Sequence, residues 1–197
     1  YLRTDRDLRQ ALAYFTQALE EDPRFALAHA GLAQTYAVLP VYGSFSVDSA
    51  VLHGSSAAAQ AIALDASLAE AYAAMGQLVQ NFEWDLGSAE SYYQRALRYQ
   101  PGYATAHQWY AETLMLQGRH DEAARHVEQV LAVDPLSPTA LYGAAFLETA
   151  RGRIQPALAR WRELVRLHPD YELGLLHHAL AANVAGLGTE AAASVAR

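Results

Sequence analysis

Cysteine and lysine are both absent from this 197-residue sequence. Without cysteine there is no disulfide framework, no thiol nucleophile and no thiolate-held metal. That absence is compatible with cytoplasm and periplasm alike, and the cytoplasm is the expected compartment. Without lysine there is no Schiff-base amine and no phosphate-gripping lysine of a nucleotide loop. The 14 basic residues are all arginine, scattered among 21 acidic ones, for a net charge of −7. No basic stripe exists to neutralise phosphates, so direct nucleic-acid binding by this segment is not expected. Long apolar runs are missing too: nothing approaches the roughly 18 to 20 residues that cross a bilayer, and the opening "YLRTDRDLRQ" is too charged for a signal peptide. We therefore expect no membrane contact. Proline (7) and glycine (12) are also scarce.

What is abundant is alanine, about a fifth of the residues, within a 52% hydrophobic chain. Strong helix formers outweigh strand formers, which predicts an all-α fold with ample apolar material for a core. The few prolines are not random: Pro101, Pro135 and Pro169 are spaced 34 residues apart. A constant period of that length indicates stacked helix-turn-helix units. Counting Ala104 as position 1, the stretch 104–135 places Ala106, Tyr110, Ala111, Leu114, Gly118, Ala123, Val127, Val130 and Pro135 at positions 3, 7, 8, 11, 15, 20, 24, 27 and 32. The next stretch keeps Ala144, Ala145, Gly152, Ala157, Trp161, Leu164 and Pro169 in register.

This pattern resembles the tetratricopeptide repeat, with small residues where paired helices approach, glycine at the turn between them and proline after the second helix. The resemblance implies antiparallel helix pairs stacked as an α-solenoid, a right-handed superhelix with a concave groove. It assigns the whole chain to one array: 5–22 as the second helix of a truncated repeat, 26–66 as a repeat with an inserted loop at 39–47, full repeats at 69–101, 104–135 and 138–169, and a partial repeat at 172–197. One extra residue is expected near Trp84 and Asp85, and Tyr42 and Phe45 of the insertion are expected to pack down. The chain starts without methionine and ends in a helical pattern, as a piece of a larger protein would. The combination of "FALAHAGLAQTYAVL", "FEWDLGSAE", "ATAHQWYAETL", "GRHDEAARH" and "VDPLSP" is similar to the C-terminal repeat regions of bacterial signalling proteins that carry an upstream winged-helix, kinase or cyclase domain. That likeness implies a regulatory module.

Residue types used in catalysis are present without catalytic spacing. His107 shares position 4 with His29, Tyr72, Leu141 and Leu175, whose common property is bulk, so packing is expected. His120 and His126 point to different faces, and the neighbouring His177 and His178 diverge by about 100°. No metal-ligand spacing, glycine-rich loop or serine elbow occurs, so no catalytic residue, metal or cofactor is expected and the chain is read as no enzyme. Ser55 or Ser56 is expected to cap a helix, and Asp121, Glu122, Thr189 and Glu190 to stand where second helices begin.

On a helical wheel, positions 2, 5, 6, 9, 12 and 13 of each first helix share the side that lines the groove in this family. The candidate partner-binding residues are Gln34, Gln77, Gln80, Gln108, Trp109, Glu112, Met115, Tyr142 and Phe146. None of these positions carries the arginine or lysine that grips an acidic chaperone C-terminus. The expected partner is instead a protein or peptide segment with apolar anchors, and a domain that senses a small molecule is the alternative.

Overall fold

The computed structural model describes residues 4–43 and 45–196. Every regular element among them is helical: α1 Asp5–Glu21, α2 Ala26–Tyr42, α3 Val47–Leu64, α4 Ala69–Leu78, α5 Leu86–Tyr99, α6 Ala104–Leu116, α7 His120–Val133, α8 Pro138–Ala150, α9 Ile154–Leu167, α10 Glu172–Val184 and α11 Gly188–Val195. They form two compact units, Tyr1–Thr113 and Leu114–Arg197.

Odd and even helices differ in how they are buried. The first helices of the pairs are apolar nearly all round; α4 buries Ala69, Ala71, Tyr72, Ala73, Ala74, Gly76, Gln77 and Leu78. The second helices bury a single stripe: Ala89, Tyr93 and Ala96 in α5, and Ala123, Val127 and Val130 in α7. A helix enclosed by neighbours needs apolar residues everywhere, whereas one at the outer surface needs only an i, i+4, i+7 seam. Alanine and glycine set the approach distance. A methyl group added to Gly76 would meet the Tyr93 ring, and one added to Gly31 would meet the ring of Phe15.

The connections after second helices repeat one device. The side chains of Asp22, Asp65 and Asp134 each accept a hydrogen bond from the backbone N–H two residues on, at Arg24, Ser67 and Leu136. These local turns compete with further helix and direct the chain into the next pair.

The insertion expected as loop 39–47 is mostly helix. α2 continues to Tyr42 with Pro40 inside it, and α3 begins at Val47. Leu39 and Ala50 are fully buried in the two extended arms, and Phe45 lies 5.7 Å from the Tyr36 ring. Burial of these side chains outweighs the loop-like composition; Ser44, also part of the expected insertion, lies outside the described residues. For the same reason Ser55 and Ser56 are interior to α3, and the capping serine is Ser46, which accepts from the Ser49 N–H.

The extra residue near Trp84 is absorbed by a π-helical turn, Val79–Glu83, that continues α4. Trp84 then adopts a left-handed backbone, φ 57° and ψ 21°. It is the only non-glycine residue with positive φ among those described; Gly118, Gly152 and Gly186 hold the corresponding turns of later pairs at φ 75°, 70° and 78°.

The packing predicts that Ala123→Leu destabilises the second unit by about 1–3 kcal/mol, because Ala123 is fully buried where helices meet. Chemical denaturation would register this, and unchanged stability would show that the small-residue seam is not under steric control.

Candidate functional site

Six of the groove candidates lie in the first unit, and the structure buries three of them and leaves Gln34, Gln108 and Glu112 half-buried. Gln77 and Gln80 are buried, and Trp109 at 2% exposure is more enclosed than His107 at 8%. A helical wheel, by contrast, places Trp109 on the open side. The cause is the small size of the groove positions on α4: Ala73 and Ala74 are fully buried. Across them Gln34 of α2 donates to the Tyr103 hydroxyl at 2.6 Å, just ahead of α6.

The two glutamines expected to meet a partner are engaged in a buried network. Tyr93 Oη donates to Gln77 Oε1 at 2.9 Å and approaches Gln80 Oε1 at 3.1 Å, and Thr113 Oγ1 donates to the same Gln80 oxygen. Gln77 also donates to Asn81, which in turn donates to the Ala37 carbonyl and ties the π-helical turn to α2. Burial pushes the Tyr93 phenol well above its ordinary range, so it stays a neutral donor. Gln108 and Glu112 are half-buried and hydrogen-bond each other at 3.2 Å. A cavity of about 170 Å³ lies between α1, α2 and α6, bordered by Phe15, Gln34, Thr35, Thr105 and Trp109.

Histidines at repeat position 4 have a structural task beyond bulk. The Nε2 atoms of His29 and His107 lie 3.0 and 2.8 Å from the carbonyls of Pro23 and Pro101, six residues earlier. Tyr72 donates to the Ala66 carbonyl in the same way at 3.0 Å. Each braces the turn that precedes its helix.

In the second unit Met115 is buried, whereas Tyr142 and Phe146 are half-buried and stacked at 5.8 Å. They belong to an aromatic box that sequence reading missed. His177 of α10 stacks on Trp161 at 5.2 Å and meets Tyr142 and Phe146 edge-on. The Tyr142 hydroxyl lies 3.1 Å from His177 Nε2. Burial holds the His177 pKa below its usual value of 6.5. The available signal was that His177 occupies groove position 6 in its repeat, the place of Trp109. Beyond the box, α10 exposes Leu176 and Leu180 at 50% and 54%, and with α11 they border an open groove of about 590 Å³. Asn183 is the single polar side chain of its lining.

His178 faces away from this box and into a polar clasp. Its Nδ1 lies 2.7 Å from Ser194 Oγ and its Nε2 lies 2.9 Å from Glu190 Oε1, while Arg162 donates twice to Glu190 at 2.7 Å. The Arg162 guanidinium, with help from His178, holds the Glu190 carboxyl at about 2, below its usual 4.5. Serine, histidine and glutamate in a row invite comparison with a hydrolase relay. Here the carboxylate is committed to arginine and Ser194 is buried, so the arrangement fastens α11 to α9 and α10. Among the described residues no group of three or more His, Asp or Glu side chains could hold a metal, and no helix is long and apolar enough to cross a membrane.

Two family models described as tetratricopeptide repeat match, one over 85–135 and 114–182 and the other over 1–42. No curated protein sequence matches. Among solved structures, the type IV pilus biogenesis factor PilW is 22% identical over 97% of this chain and 84% of its own, with a TM-score of 0.70. TTC0263, a thermophilic repeat protein of Thermus thermophilus, is 23% identical over 88% of this chain and 90% of its own, at 0.71. Human IFIT1, solved with the capped RNA m7Gppp-AAAA, reaches 0.79 at 19% identity over 95% of this chain, which spans 44% of the length of IFIT1. At these identities the likeness concerns the fold.

The aromatic box carries a pH signature. Because folding lowers the His177 pKa, its contribution to stability is complete above pH 6.5 and is lost as pH falls below that value through the folded pKa. His177→Phe keeps an aromatic ring and removes the titration. The wild-type melting temperature should therefore drop relative to the variant between pH 8 and pH 5; parallel curves would show that His177 is not buried as a neutral ring.

Proposed function

The chain belongs to the tetratricopeptide-repeat family, and from that premise we propose that it is a non-catalytic protein-interaction scaffold, the regulatory module of a larger bacterial signalling or transcriptional protein. Its partner is a protein or peptide segment with apolar anchors. The observation that carries this reading is the open groove beside α10, where Leu176 and Leu180 stand exposed and no charged residue lines the wall. An apolar surface one helical turn apart and free of charge suits the side chains of an amphipathic helix.

Electrostatics narrows the partner. First-helix positions 2, 5, 6 and 9 carry neither lysine nor arginine in any pair, which disfavours an acidic C-terminus. The net charge of −7 argues against nucleic acid for this segment. Half-buried Tyr142 and Phe146 supply the aromatic area in which binding energy concentrates. Trp109, by contrast, is so enclosed that truncation to alanine would cost about 3–5 kcal/mol of stability and so would not report on binding alone.

Sensing of a small molecule remains a second reading because of the cavity of about 170 Å³ in the first unit, where Gln34, Thr35 and Thr105 offer polar contacts beside Trp109. A specific metabolite would raise the melting temperature by mass action in a thermal-shift screen.

The scaffold reading is tested with a double change, Leu176→Glu and Leu180→Glu. Both side chains are exposed, so the effect on stability should stay within about 0.5 kcal/mol each. Fluorescence anisotropy with labelled amphipathic helical peptides, presenting leucine at i, i+3, i+4 and i+7, should show affinity weakened at least tenfold. Equal binding by variant and wild type would remove this groove as the recognition surface.

A further inference from the structure

We infer that the turn around Trp84 is a second docking surface, separate from the groove, and that it inserts its indole into an apolar pocket rimmed by arginine or lysine on a partner protein. Three observations converge on this residue. The first is its backbone: Trp84 adopts φ 57°, in the left-handed region that a bulky side chain rarely enters. The second is an internal comparison. The same turn in three later pairs is made by Gly118, Gly152 and Gly186, all with positive φ, so glycine is the residue this geometry favours. The third is exposure: the indole is 70% accessible and therefore recovers little from burial within the unit.

A tryptophan held in an unfavourable conformation and left in solvent is a local rule broken without gain to the fold. Such departures gather at functional sites. The π-helical turn Val79–Glu83 that leads into it is a feature with the same tendency. The turn is also anchored on its inner side, since Asn81 donates to the Ala37 carbonyl at 3.2 Å and the Asp85 carboxylate accepts from the Ser88 N–H at 3.0 Å. The indole is thus presented from a fixed base, which lowers the entropy lost on binding.

The flanking charges define the partner. Glu83 and Asp85 are both exposed on either side of Trp84. Their paired negative charge complements a basic rim, and it disfavours an anionic lipid surface, where a projecting indole would otherwise be at home. Tryptophan is among the residues most enriched where binding energy concentrates.

The test uses the full-length protein in its own cells, with a photoreactive benzoylphenylalanine in place of Trp84 and, as control, in place of the exposed Tyr14. A protein crosslinked from position 84 and not from 14 is purified, and its affinity is measured by calorimetry. Trp84→Gly should weaken that affinity at least tenfold while raising the melting temperature of the free chain. Glu83→Lys should weaken it and flatten its salt dependence, and the Leu176→Glu, Leu180→Glu variant should bind as wild type, which separates this surface from the groove. The inference is overturned if Trp84→Gly lowers the melting temperature and leaves affinity unchanged, or if position 84 crosslinks no better than 14. It is equally overturned if the only product is a second copy of this chain, or if Trp84 fluorescence shifts to the blue on phosphatidylcholine vesicles.

Discussion

Close approach through alanine is the constraint on which the other features rest. Where Ala58, Ala61, Ala74, Ala89 and Ala123 meet facing helices, each is fully buried. The helix backbones are held nearer than leucine would allow, so dispersion contacts between main-chain atoms replace those of long side chains. This contact has two consequences. It makes the first helices apolar nearly all round, α4 most fully enclosed, and leaves the second helices with one seam. It also draws successive first helices together where the groove positions are alanine, as at Ala73 and Ala74, so that Gln34 of α2 meets Tyr103, just ahead of α6, over α4.

That closure separates what was legible in the sequence from what was not. Period, helix pairing and the tight turns could be read because they depend on residue types at fixed offsets: the prolines 34 residues apart, the glycines at 118, 152 and 186, and the small residues in register. Each encodes a local requirement that the residue itself advertises. The status of Trp109, Gln77 and Gln80 could not be read, because a helical wheel gives direction and not distance. Whether a groove-facing side chain meets solvent or a neighbour depends on how far the adjacent helices stand apart. The bonds that fix this join residues far apart in sequence, from Gln34 to Tyr103 and from Gln80 to Thr113. The extended arms of α2 and α3 escaped notice for a related reason. "VYGSFSV" has loop-like composition, and the helices reach into it from both sides, to Tyr42 and from Val47, where Leu39 and Ala50 in the flanks are buried.

Histidine shows how the same side chain is assigned by context. His29 and His107 brace turns through backbone carbonyls, His177 fills an aromatic box, and His178 joins a clasp with Ser194 and Glu190. These are uses of a ring that offers two nitrogen sites and a flat apolar face. The adjacent pair 177 and 178 is the instructive case: a rotation of about 100° between neighbours sends one ring toward the groove and the other toward α11. Density of reactive residue types, as in "HQWYAE", is therefore a poor guide to chemistry in an array whose first helices are buried. In such a helix polar side chains must find partners, and the partners they find are mostly the array itself.

The two units satisfy their polar and apolar groups differently, and this bears on where recognition can occur. In the first unit the groove-side glutamines Gln77 and Gln80 are satisfied internally by Tyr93 and Thr113, and a cavity of about 170 Å³ lies beside Gln34 and Trp109. Among the described residues there, the one that combines a non-glycine positive φ with an exposed large side chain is Trp84, at a turn and outside that network. In the second unit the aromatic box consumes the faces of Trp161 and His177, yet the apolar row continues past it into exposed Leu176 and Leu180. A repeat protein can vary its sequence only where neighbouring repeats do not meet. The departures from register, an extra residue at one turn and an uncovered apolar row along one helix, are thus the places where the array is free to carry information about partners.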